Sequence, residues 1–213
     1  VMFMTLREEC FTGLAALLLA FLIGIGQMRM QQEALAGRVA PQVLRLHVIA
    51  NSDKDEDQAV KLEIRSLLLD RIEEWVRKEK PTGKADAVAH VKQEKNGWID
   101  EINAFLKRNA FSYLADIQLT ECRFPPRQYG NVVFPEGIYD AVRVVLGEGK
   151  GRNWWCVLYP GFCFVKEACH MVPEDTLTYL REHLNRDDCL ALLDSRPDIQ
   201  IRFLFFPFLN PSQ

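Results

Sequence analysis

The sequence predicts an α+β domain: a mixed or antiparallel sheet with an inserted αα-hairpin, preceded by an N-terminal signal peptide or anchor. Three observations predict it. Short segments with the two-residue alternation of strands flank two long segments whose apolar residues recur at the three- and four-residue steps of helices. Ahead of them, residues 11–26 carry no charge at all. With 213 residues the chain has room for one such domain plus a targeting segment, and the expected division is 1–36 and 37–213.

The N-terminal segment follows Arg7 and reads FTGLAALLLAFLIGIG. Sixteen residues make a helix about 24 Å long, short of a hydrocarbon core of roughly 30 Å. A charged lead, a short apolar core and a small-residue site are the parts of a secretory signal. Ala34-Leu35-Ala36 fits that site, with Gly37 as the first mature residue. Glu8 and Glu9 dilute the positive lead, and the site lies well beyond the apolar run, so an uncleaved anchor in contact with the membrane is the second reading. Both place the domain outside the exporting cytoplasm.

Downstream, Leu44, Leu46 and Val48 alternate with Arg45 and His47, which predicts a half-buried strand. Asn51, Ser52 and Asp53 then turn the chain and cap a helix whose first turn is acidic, matching its positive end. Val60, Ile64, Leu67, Leu68, Ile72 and Trp75 give that helix its apolar face. Pro81-Thr82-Gly83 breaks it. A second helix follows with Val88, Val91, Trp98, Ile99, Ile102, Phe105 and Leu106 on one face, and Lys95-Asn96-Gly97 is where it would bend. Residues 113–124 are strand-like up to Pro125-Pro126. Residues 136–146 predict a strand joined by the glycine-rich 147–151 loop to a returning hairpin strand at 154–159. Two short helices are expected after Pro173 and Asp187. The apolar tail 199–209, with Pro207 inside it, suits an edge strand or a packed arm.

Charge and motif count narrow the function. A net charge of −3, with basic and acidic residues interspersed, gives no basic patch, so no nucleic-acid partner is expected. Asp53-x-Asp55-x-Asp57 opens like a calcium loop, but Gln58 and Ile64 stand where such a loop needs Gly and Glu. The 147–151 glycines lack the spacing of a phosphate loop and sit between strands, where backbone at positive φ explains them. The cysteines lack zinc-site pairs, and His170 stands alone beside Cys169, so no metal or other cofactor is expected. Ser52 has no flanking glycines of a nucleophile elbow, and the four histidines are scattered. No catalytic residue is assigned, and binding rather than turnover follows.

The most distinctive segment is NWWCVLYPGFCFV at 153–165. Trp154 and Trp155 must face opposite sides of a strand, one entering the core and the other packing under a helix or meeting a partner. Cys156 and Cys163 bracket Tyr159-Pro160-Gly161, where a turn brings them close enough for a disulfide. As two small buried hydrophobes they would also fit.

Four segments together, RLHVIANSD at 45–53, EDQAVKLEIRSLLL, the FPPRQYGNVVFPEGIYDAVRVVLGEG block and GRNWWCVLYPGFCFV, resemble the stage II sporulation protein R family. Pro160-Gly161 stands where that family typically has two prolines. The resemblance implies a signalling protein secreted across the forespore membrane into the intermembrane space. There it would activate a membrane-embedded aspartic protease of the mother cell, which processes the sigma-E precursor. The residues expected to meet that protease are Asn51, Ser52, Asp53, Trp154, Trp155 and Cys156. Two rivals are an exported hydrolase using Ser52, His47 and a carboxylate such as Asp53 or Asp140, and a structural protein of the spore envelope.

Overall fold

In the computed structural model, residues 2–164 and 172–193 are described, with the side chains of 2–10 and 164 excluded. The expected tail strand at 199–209, Cys169 and His170 lie outside the described residues. The element order is α1 (Met2–Val39), β1 (Leu44–Ile49), α2 (Asp55–Glu79), α3 (Lys84–Arg108), β2 (Ala115–Phe124), β3 (Arg127–Tyr129), β4 (Val132–Phe134), β5 (Gly137–Leu146), β6 (Asn153–Tyr159), α4 (Glu174–His183) and α5 (Arg186–Leu193). A short 3₁₀ turn precedes β1 and another follows β6.

The main sheet has the order β2-β5-β1-β6, and it is mixed: β1 runs parallel to β5 and antiparallel to β6. This corrects the expected β5–β6 hairpin. The glycine-rich connection crosses the end of β1, which lies between the two strands it joins. The physical reason is burial. All six residues of β1 are buried, so it can only occupy an interior position in the sheet. The half-buried reading of β1 is corrected for the same reason: Arg45 and His47 point into a second apolar layer instead of water.

That sheet is the middle of three layers. On one face, Leu44, Leu46, Val48, Val142 and Val144 pack against Val60, Ile64 and Leu68 of α2 and Val91, Trp98 and Ile102 of α3. The spacing of these helical residues puts them all on one side, which is why the hairpin lies flat on the sheet. α3 continues unbroken through Lys95-Asn96-Gly97, with no end to the helix where a bend was expected. Trp98, the residue after Gly97, is buried and fixes that stretch to the core.

The opposite face carries Val43, Phe124, Tyr139, Ala141 and Val157. It is covered by the last turns of α1 (Leu35, Ala36, Val39), by the separate β3–β4 hairpin through Val132 and Phe134, and by Leu180 and Leu192 of α4 and α5. The sequence reading had no β3–β4 hairpin. Arg45 lies wholly buried here, its guanidinium 4.2 Å from the Phe124 ring and 4.9 Å from that of Tyr139. Among the described residues, none of its three side-chain nitrogens has a hydrogen-bond partner. The aromatic faces attract the cation, and burial lowers its pKa, opposed by Tyr129 and Tyr139.

Candidate functional site

The strand direction collects one group of loops at the far end of the sheet, where β1 and β5 end and β2 and β6 begin. Residues 51–53 and the 147–152 loop meet there. Their side chains close on Asp57, buried in the first turn of α2. Ser52 Oγ and Asn51 Nδ2 donate to Asp57 Oδ2 at 2.6 and 2.9 Å, and the Tyr113 hydroxyl donates to Oδ1 at 2.5 Å. Burial pushes the Asp57 carboxyl up, but the bonds from Ser52, Tyr113 and Asn51 together outweigh it and hold it below the ordinary range. Tyr113 moves the other way, raised by burial and then by the bond to Asp57.

The same turn holds the glycine-rich loop. Asn51 Oδ1 accepts the Glu148 N–H at 3.0 Å, so both ends of its amide are engaged. The backbone of Ala50 and Asn51 accepts from Gly151 and Lys150 at 2.9 and 3.1 Å. Asp53 Oδ1 accepts the Arg152 N–H at 2.7 Å, and Lys61 Nζ donates to the Arg152 carbonyl at 3.0 Å. Two glycines are required by this closeness. Gly147 has φ +56 with the Asn51 amide against its missing side chain, and Gly151 lies against the Ser52 carbonyl. The cap on α2 expected from Ser52 is not formed. The N-cap is Lys54, which has no side-chain cap bond; the Ser52 hydroxyl accepts the Lys54 N–H and donates to Asp57 instead. Asp57, Tyr113 and Lys61 were missed by sequence reasoning. Asp57 read as one more acid at a helix N-terminus, and Tyr113 is 56 positions away from it.

Beside this tip, Trp154 and Trp155 take opposite faces of β6. Trp155 lies opposite His47 in register and stacks on its ring at 4.7 Å and 7°, with Phe124 edge-on to it. Trp154 packs toward the helical layer, with the Arg65 guanidinium 5.1 Å above its ring. Both stay half-buried. Cys156 is buried and bonded to Cys163, with the two Cα atoms 5.3 Å apart. Between them the Tyr159-Pro160 peptide is cis. Cys122 and Cys189 are free thiols, the second of them buried. In the chain-entropy account, a loop of this size is stabilised by about 2.5 kcal/mol. Replacing Cys156 and Cys163 by serine is therefore expected to lower the urea-unfolding free energy by about that amount. An unchanged midpoint would show the bridge to be energetically idle.

The hydrolase arrangement is not assembled. Ser52 donates to a carboxylate, neither His47 nitrogen has a hydrogen-bond partner among the described residues, Asp53 is bonded to Arg152, and Asp140 pairs with Lys84 at 2.6 Å. A nucleophile needs a base in hydrogen-bond reach. Among the described residues, no three His, Cys, Asp or Glu side chains cluster closely enough to hold a metal ion.

Fold and site together define a small α+β domain on an apolar N-terminal helix, whose main polar cluster is consumed in holding a surface loop. The chain belongs to the stage II sporulation protein R family: the family model matches residues 40–169, which run from the turn before β1 past the disulfide. It is similar to Stage II sporulation protein R of Bacillus subtilis (strain 168), with 35% identity over 131 residues, covering 60% of this chain and 56% of that protein. The chain thus spans little more than half the length of that relative. No solved structure matches it.

Proposed function

We propose that the chain is a sporulation signal, exported from the forespore, that activates a membrane-embedded aspartic protease in the mother cell and so leads to processing of the sigma-E precursor. Family membership over residues 40–169 is the observation that carries this reading. The geometry is compatible with it. Every polar side chain in the 51–53 turn is engaged within the domain, while the loop it holds presents Glu148, Lys150 and Arg152 to solvent. A rigid exposed loop suits a ligand that works by favouring one conformation of its receptor. Asn51, Ser52 and Asp53 then act indirectly, by fixing the loop that makes contact, and Trp154, half-exposed beside it, contributes its face.

The test is reconstitution in a non-sporulating host. The chain is expressed, exported, with the aspartic protease and its sigma-factor precursor, and shortening of the precursor is followed by blotting. Shortening that depends on this chain is the expected result. Absence of shortening with all three proteins present, and this one exported, would remove the proposal.

A further inference from the structure

We infer that α1 is a retained transmembrane anchor, fused without a flexible joint to the domain, so that the chain acts while still held in the membrane it was exported across. The last clause deepens the activation reading above; the anchor itself stands on separate observations. The uncharged stretch of α1 extends from Phe11 to Met28, eighteen residues and about 27 Å of helix. That is within the range of a spanning segment. Its mean hydropathy reaches 2.0, and none of it is buried against the domain. Leu17, Phe21, Leu22 and Met28 are all more than 60% exposed, so the apolar surface goes round the helix instead of lying on one side. A helix that is apolar all round belongs in a core or a bilayer, and among the described residues no core receives it.

The second half of the argument is how α1 ends. Helix continues through Arg29 to Val39 without a break, and its last turns are part of the domain. Leu35, Ala36 and Val39 are 8, 2 and 0% exposed in the layer beneath the sheet. Ala36 sits where Gly137 has no side chain; no larger residue fits there. Arg38 Nε donates to both Asp188 oxygens at 2.9 and 3.0 Å, and Asn185 donates to the same carboxylate. Glu33 lies 3.8 Å from Arg123. Cleavage between Ala36 and Gly37 would cut inside this helix and take Leu35 and Ala36 out of the core. Retention leaves the core whole and the apolar helix in lipid. It also puts residues 51–53 and the 147–152 loop at the end of the sheet opposite the anchor, since β1 and β5 both start beside α1 and run away from it.

The experiment uses the full chain, exported in a bacterial host, with the intact mass measured and the membranes washed at alkaline pH. The expected result is the uncut mass, retained in the washed membrane. A soluble product with a new N-terminus at Gly37, or anywhere beyond Phe11, overturns the inference. Ala34→Leu provides a second reading, because Ala34 is exposed and the change spoils the small-residue site without touching the core. Retention predicts no product difference between wild type and variant. A product that becomes longer only in the variant shows that the site is used, and overturns it. Neither measurement involves the protease, so loss of this inference leaves the activation reading to its own test.

Discussion

Acidification from pH 6.5 to pH 4 is expected to remove about 3 kcal/mol of stability through His47 alone, at 1.36 kcal/mol per pKa unit. His47 is 4% exposed, and its pKa falls from 6.5 to about 4, first because burial disfavours the imidazolium and then because the Arg143 and Arg45 cations lie nearby. The sign follows directly. Below pH 6.5 the unfolded chain takes up a proton that the folded chain refuses, so protons favour unfolding until the folded pKa is reached. Stability is therefore full above pH 6.5 and declines down to pH 4. His90, also lowered by burial, adds in the same direction. Denaturant unfolding followed by tryptophan fluorescence measures the effect, since Trp155 stacks on His47. His47→Phe keeps the stacked ring and should flatten the profile by the His47 share. A wild-type curve with no slope between pH 6.5 and 4 would mean that the imidazole is solvated.

Asp57→Ala is expected to be the most damaging single change at the tip, costing about 3–5 kcal/mol. It leaves the hydroxyls of Ser52 and Tyr113 and the amide of Asn51 without their acceptor, and bonds to a charged group are each worth about 1.5–3 kcal/mol without adding fully. Tyr113→Phe removes only one of the three donors, so about 1–2 kcal/mol is expected from it. Urea midpoints for the two variants decide whether Asp57 is the hub: equal losses would show that it is not. A loss of 3–5 kcal/mol is a large part of the 5–15 kcal/mol typical of a domain. Asp57→Ala should therefore also weaken signalling, through a less stable fold and a loosened 147–152 loop.

Much of the fold was legible because its signals are local. Val60, Ile64, Leu68 and Ile72 declare the α2 face by spacing alone, and the break at Pro81-Thr82-Gly83 separates the two helices. What was misread depends on partners distant in sequence. Arg45 and His47 read as the wet side of a strand, yet Phe124, Tyr139 and Trp155 fold over them from other strands. An alternating pattern records which residues share a face, not what later covers it. The β5–β6 hairpin was inferred from adjacency, whereas β1, buried on both faces, takes the place between them. The site shows the same division. Asn51, Ser52 and the 147–151 glycines stood out in the sequence, but the carboxylate that joins them did not, because Asp57 was one acid among several at a helix start.

The central claim is that the chain works as a ligand, and Ser52→Ala in the reconstituted activation assay tests it most directly. Asp57 keeps the Asn51 and Tyr113 bonds in that variant, so the tip loses only the Ser52 hydroxyl's bonds, the one it donates to Asp57 and the one it accepts from the Lys54 N–H, together about 2 kcal/mol, and stays folded. The account predicts precursor shortening close to the wild-type extent. Folded, exported Ser52→Ala protein that supports no shortening would contradict it.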